Sequence, residues 1–277
     1  MHRGCANEAV SLPVEHPSIS RRVAALQHTA DRLATRHLFG LGKKATLRSV
    51  CWSGDQFLAV GDSGSAALSA DGEVWLATTI GNGSDLHRAI WVANQFVAVG
   101  ENGAIYTSPD GVAWTARNTG ISHTLNSIVR GGNTFVAVGL GGSILTSEDG
   151  ATWTTRSSGT SADLHDVESN GTVFLAVGAN GTVLTSENGV SWSLRDANRS
   201  DTLRTVVWGN NRFVVWGDQM GQVSSSVNGT SWQTTASENL LLTPLDAIWR
   251  SNQFLVVGSS SGLAFPGGYL TSSNGVS

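Results

Sequence analysis

The sequence predicts an all-β fold, a six-bladed β-propeller, from three observations that run in register. The pentapeptide FVAVG, or its variants FLAVG, FVVWG and FLVVG, ends at Gly61, Gly100, Gly139, Gly178, Gly217 and Gly258, at spacings of 39, 39, 39, 39 and 41 residues. Trp75, Trp114, Trp153, Trp192 and Trp232 follow at spacings of 39, 39, 39 and 40. A leucine opens each repeat, at Leu47, Leu86, Leu125, Leu164, Leu203 and Leu245. A repeat of about 40 residues made of short strands is the signature of a propeller blade.

The third repeat shows the elements in order. Leu125 to Arg130 is a run of strand formers, followed by the turn Gly131-Gly132-Asn133 and a second run, Thr134 to Gly139. After a glycine turn come Ser143 to Ser147, the turn Glu148-Asp149-Gly150, and Trp153 to Arg156. Runs of four to six residues rich in Val, Ile, Thr and aromatics, bounded by Gly, Asn and Asp, read as four strands and three turns. FVAVG has no polar alternation, so both of its faces must be covered, as in a middle strand packed between neighbouring blades. The Phe and Trp of each repeat then fill the space between blades. The expected domain is residues 47–277, with residues 1–46 as an N-terminal extension.

The turn before each tryptophan has its own pattern: SADGEVW, SPDGVAW, SEDGATW, SENGVSW and SVNGTSW, with SSNGVS in the sixth repeat. Asp or Asn suits a turn whose side chain bonds nearby backbone, and Gly accepts positive φ. The pattern resembles the Asp-box, or BNR, repeat of sialidase-like propellers, although it is one residue shorter between Asp and Gly. It is most similar to the Asp-box repeats of the photosystem II stability/assembly factor family and related bacterial propellers. The resemblance implies a folding role for Asp71, Asp110, Asp149, Asn188 and Asn228, with Trp75, Trp114, Trp153, Trp192 and Trp232, on the face away from any ligand. It also implies a protein-binding scaffold. Members of that family are usually seven-bladed and exported, and neither feature is visible in this sequence.

In the extension, Val23, Leu26, Ala30 and Leu33 recur at helical spacing and predict an amphipathic helix over 20–38, with Ser18 or Ser20 as its cap. A competing expectation is that Leu33-Ala34-Thr35-Arg36, which resembles Trp153-Thr154-Thr155-Arg156, supplies the fourth strand that the last blade lacks. A third is that the chain is a fragment of a protein with more blades.

The first strand of each blade is expected to line the central channel. The residue after the repeating Leu forms one ring (Arg48, His87, Asn126, His165, Arg204 and Asp246). The next position gives Ser49, Arg88, Ser127, Asp166, Thr205 and Ala247, while the third is apolar throughout. Polarity is therefore concentrated at one end of the innermost strand. The candidate partner-binding residues at the channel mouth are Arg48, His87, Arg88, Asn126, His165, Asp166, Arg204 and Asp246. A concave mouth with convergent polar groups is the default binding site, and guanidinium forks suit carboxylates. The expected function is a non-catalytic scaffold for a protein or peptide at this mouth.

A lectin-like propeller is the first alternative, with Trp52, Trp91, Trp208 and Trp249 as sugar-stacking candidates. A sialidase-like hydrolase is the second. It needs three arginines, a Tyr nucleophile assisted by Glu and an acid Asp, yet the only tyrosines are Tyr269 and Tyr106, the latter in a third strand away from the innermost one, and Asp166, Glu168 and Asp246 form no recognisable catalytic motif. No enzyme activity, cofactor or metal is expected. Arg117, Arg156 and Arg195, three residues after their tryptophans, read as charge protecting the outermost strand.

The remaining expectations come from composition. Of 277 residues, 14% are charged, and 17 Lys plus Arg stand against 21 Asp plus Glu for a net charge of −4, which argues against a nucleic-acid binder. No window approaches the roughly 20 apolar residues of a membrane span, and two cysteines cannot make a disulfide framework. A monomer is expected. Low charge with abundant Ser, Thr, Asn and Gly favours an extracytoplasmic site, while the first 30 residues lack the apolar core of a secretory signal.

Overall fold

A computed structural model describes residues 46–236, 242–259 and 267–275. They form six antiparallel sheets in sequence order, one per repeat. Five sheets have four strands and the sixth has three among the described residues (Thr243–Arg250, Gln253–Ser259 and Gly267–Ser272). The helix expected over 20–38 and the closing strand expected at 33–36 lie outside the described residues.

Each sheet is a meander whose first strand is innermost. The six inner strands are Leu47–Trp52, Leu86–Val92, Leu125–Gly131, Leu164–Ser169, Leu203–Gly209 and Thr243–Arg250. The FVAVG strands come second, and they are buried on both faces. Five apolar clusters among the described residues each join two consecutive blades. In the second of these, Val97 and Val99 of blade 2 meet Phe135, Ala137 and Trp153 of blade 3. The ring is thus held blade to blade by apolar burial.

The glycine that closes FVAVG has a steric cause. A Cβ on Gly139 would stand 1.9 Å from the Thr124 carbonyl oxygen, and one on Gly61 would stand 1.9 Å from that of Thr46. Leu140 N–H donates to the Thr124 carbonyl at 2.9 Å, so the backbone passes too close for any side chain.

The Asp-box turn is closed by its own side chains. Ser147 Oγ donates to Asp149 Oδ1 at 2.9 Å, and the same oxygen accepts the N–H groups of Ala151 and Thr152, each at 2.8 Å. Gly150 N–H donates to Ser147 Oγ, and Trp153 Nε1 donates to the Gly150 carbonyl at 3.0 Å. The pattern recurs around Asp71, Asp110, Asn188 and Asn228, with Trp75, Trp114, Trp192 and Trp232 on their glycine carbonyls. The two backbone N–H donors hold the Asp149 carboxyl down at about 2.

Strand direction places these turns on the face opposite the start of the inner strands. Gln56 and Gln95, in the inner hairpins of blades 1 and 2, bracket the next blade by donating to the carbonyls of Asp110 and Asp149. Arg117, Arg156 and Arg195 do not simply project from the edge. Each folds back so that Nε donates to a third-strand threonine (Thr107, Thr146 and Thr185), at 2.8 Å in all three blades.

Candidate binding site at the channel mouth

A bulge interrupts pairing near the start of every inner strand. Leu47 pairs with Gly61 and Ser49 with Val60, so Arg48 is the extra residue. The same shift makes His87, Asn126, His165 and Arg204 the extra residues of blades 2 to 5. A bulge bends the strand and re-aims a side chain. This is how the mouth receives polar groups from a strand whose next positions pack into the core.

Blade 6 departs from the expected register. Pro244, not Leu245, pairs with Gly258, and Asp246 pairs with Val257. Leu245 therefore occupies the bulge and is 62% exposed, while Pro244 is buried. Asp246 belongs with Ser49, Arg88, Ser127, Asp166 and Thr205, one place along from the ring assigned to it above. The lengthened link after Trp232 moved the leucine out of phase with the structure.

This second ring is wired across blades. Ser49 Oγ accepts Ala89 N–H of the next blade at 3.1 Å, and Ser127 Oγ donates to Asp166 Oδ1 at 2.7 Å. Asp166 Oδ2 accepts Thr205 Oγ1 at 3.1 Å and Val206 N–H at 3.0 Å. Asp166 is only 5% exposed. Burial raises its pKa, with Arg88 opposing and Asp246 adding to the rise. Arg88 reaches from blade 2 to blade 6, where Nη1 donates to Asp246 Oδ1 at 3.0 Å. Asp246, and less strongly Asp166, stabilise the charged form of this guanidinium. Glu168, the next residue facing this cluster, is pushed up to about 7, chiefly by burial and then by Asp166.

The bulge residues are engaged as well. Arg48 Nε donates to Asp62 at 2.6 Å and its Nη2 lies 3.4 Å from Asp85. Arg204 is bidentate to Asp218, with Nε on Oδ1 and Nη2 on Oδ2 at 3.0 Å. His87 Nδ1 stands 3.3 Å from Asn126 Oδ1, and Asn126 Nδ2 donates to the Leu164 carbonyl at 2.7 Å. Burial, then the charge of Arg204, lowers the pKa of His165. The arginines read from the sequence as anion receptors thus already hold carboxylates. Their partners Asp62, Asp85 and Asp218 come from the turns after the second strands and from an inter-blade link. The turn position is acidic in blades 1, 2 and 5 (Asp62, Glu101 and Asp218), and the position before the repeating leucine is acidic at Asp85 and Asp163, a signal in register with the repeat that a reading of the inner strands alone misses.

Neither tyrosine lies in the mouth. Tyr106 is in a third strand with its hydroxyl 3.1 Å from Asn82 Oδ1, and Tyr269, also in a third strand, is 58% exposed. The tryptophans proposed for sugar stacking rest on phenylalanines of their own blades: Trp52 on Phe57 at 4.3 Å, Trp91 on Phe96 at 4.5 Å, Trp208 on Phe213 at 4.7 Å and Trp249 on Phe254 at 4.4 Å. A separate hollow of about 460 Å³ lies at the outer rim of blade 2, lined by Asn82, Glu101, Tyr106, Arg117 and Asn118 among others. No helix among the described residues is long and apolar enough to cross a membrane.

No known family's sequence profile matches the chain, and no curated protein matches it in sequence. Its fold is shared with solved structures. A structure of YCF48 bound to D1 peptide superimposes with a TM-score of 0.66 at 19% identity, over 81% of this chain and 78% of that one. YCF48 from Cyanidioschyzon merolae gives 0.63 at 17% identity, over 85% and 83%. The computationally designed Ika8 protein gives 0.65 at 11% identity, over 83% and 72%. A natural propeller and a designed one fit equally well, so the likeness is one of fold: this chain is a β-propeller that resembles the YCF48 propellers in architecture.

Proposed function

We propose that the chain is a non-catalytic scaffold that captures a protein or peptide segment at the mouth of its central channel. The observation that carries this reading is the bulge in each inner strand, which turns His87, Asn126, His165 and two arginines toward one opening. The likeness to a propeller solved with a peptide bound supports the same class of function. A sialidase-like activity finds no support, because the phenols stand in third strands and the channel carboxylates face a single ion-paired arginine.

The test uses peptides selected against the full chain from a random display library. His165→Trp narrows the mouth and should weaken their binding at least about tenfold, or about 1.4 kcal/mol. Gln95→Trp, on the Asp-box face, should leave binding unchanged. Equal affinity for both variants would refute the location.

A second reading, glycan binding, is favoured by the hollow beside Tyr106. Planar amide, carboxylate and guanidinium groups around one phenol suit vicinal hydroxyls. A glycan array probed with the wild type and with Asn82→Ala checks it, and a glycan bound equally by both would place recognition elsewhere.

A further inference from the structure

We infer that the mouth takes a basic segment, and that residues 1–45 of this chain are its resident occupant, docked there in competition with outside partners. This builds on the mouth being the binding face, as proposed above.

The first ground is charge. Arg48, Arg88 and Arg204 are each paired with a carboxylate, and Arg48 lies between two. Arg199 is likewise spent on Asp201 at 2.7 Å. Glu101, in the turn after the second strand of blade 2, and Asp163, in the link before blade 4, stand on the same face. Even with Arg117, Arg156 and Arg195, at the ends of the fourth strands, counted on this face, acid exceeds base around the opening, and the field there attracts cations. An acidic peptide would have to break existing ion pairs, whereas a lysine or arginine can add to carboxylates already in place.

The second ground is where the opposite charge sits. Residues 1–45 contain five Arg and two Lys against three Asp plus Glu, a net +4 in a chain whose total is −4, which leaves residues 46–277 at −8. Both lysines of the protein, Lys43 and Lys44, fall in that segment. The third ground is its point of attachment. Leu47 opens the innermost strand of blade 1, and the Thr46 carbonyl accepts Asp62 N–H at 2.9 Å. The basic segment therefore joins the ring at the mouth itself, one residue from the Arg48–Asp62–Asp85 cluster. A tether this short gives a high effective concentration and makes even weak ionic contacts effective.

Two measurements on the full chain test the inference. In the variant Cys5→Ser with Gln27→Cys, a nitroxide is placed at position 27, while Cys51 remains buried. The label should broaden the amide signals of Ser63, Asp85 and Arg204 and spare Glu73, Val112 and Ala151 of the Asp-box turns. The effect should disappear at about 1 M salt, where the screening length falls to about 3 Å. Equal broadening of the two sets, or none, would overturn self-docking.

The second measurement compares the wild type with a chain carrying Arg21→Gln, Arg22→Gln, Arg32→Gln and Arg36→Gln. A fluorescent twelve-residue peptide of alternating Lys and Ser should bind the variant at least about fivefold more tightly than the wild type. Its Glu/Ser counterpart should bind neither. Equal binding of the Lys peptide to both proteins would refute the competition while leaving the mouth as a site for basic segments. Preference for the Glu peptide, or no binding of the Lys peptide, would refute the basic specificity. A failure of the mouth itself is read separately, from the His165→Trp experiment.

Discussion

Replacing Trp153 with alanine should cost the propeller about 3–5 kcal/mol. The indole is 8% exposed and is the most deeply buried of the five Asp-box tryptophans. It lies 6.2 Å from the Phe135 ring and packs in the cluster that joins blades 2 and 3. Removing it takes away roughly 150–250 Å² of buried surface and leaves a cavity, for which aromatic-to-alanine changes set the range of about 3–5 kcal/mol. The bond from Nε1 to the Gly150 carbonyl is lost as well, leaving that acceptor to water. In a domain of this size each kcal/mol lowers the melting temperature by about 2–4 °C, so a fall of about 10 °C is expected. Reversible urea unfolding of wild type, Trp153→Ala and Trp114→Ala gives the comparison, with the smaller loss at the more exposed Trp114. A loss below about 1 kcal/mol for Trp153→Ala would refute the claim that these tryptophans hold the blades together.

Other perturbations test other parts of the structure. Gly139→Ala puts a Cβ 1.9 Å from a carbonyl oxygen, so the variant should lose several kcal/mol or fail to fold, as seen by circular dichroism and urea titration. Glu168 titrates at about 7 in the folded chain against an ordinary 4.5. Its contribution to stability is full below about 4.5 and is lost as pH rises through about 7. Glu168→Gln should therefore flatten that limb of the stability profile and be more stable than the wild type at pH 8, by about 1–3 kcal/mol after solvent screening. Asp149 has the opposite sign: its depressed pKa adds stability above the ordinary carboxylate value, and this is lost as pH falls toward about 2. Asp149→Ala should shorten that acid limb in thermal melts between pH 4 and 2.

The ring was legible because its information is periodic. FVAVG, the Asp-box turn and the tryptophan each report one blade, and a 39-residue period leaves little freedom in how the strands pair. Where the period breaks, the reading slipped. After Trp232 the link lengthens, and the nearest leucine, Leu245, mimics the start of the sixth repeat, although Pro244 holds the paired position. That the residues after each repeating leucine share one end of the inner strands was legible in blades 1 to 5 and missed in blade 6, where Leu245 takes the bulge. Their electrostatic state was not legible, because it depends on groups far apart in the chain, such as Arg88 with Asp246 and Arg48 with Asp85. The raised pKa of Glu168 arises the same way, from burial and from Asp166, and no local motif encodes it.

The most direct test of the mouth as the binding face is amide hydrogen exchange of the full chain, with and without the tightest peptide from the display library. The account predicts protection in the turns at residues 62–64, 101–103 and 179–181 and in the links entering the inner strands, with no change around Asp71, Asp110 and Asp149. Protection confined to the Asp-box face, with the mouth exchanging as in the free protein, would contradict it.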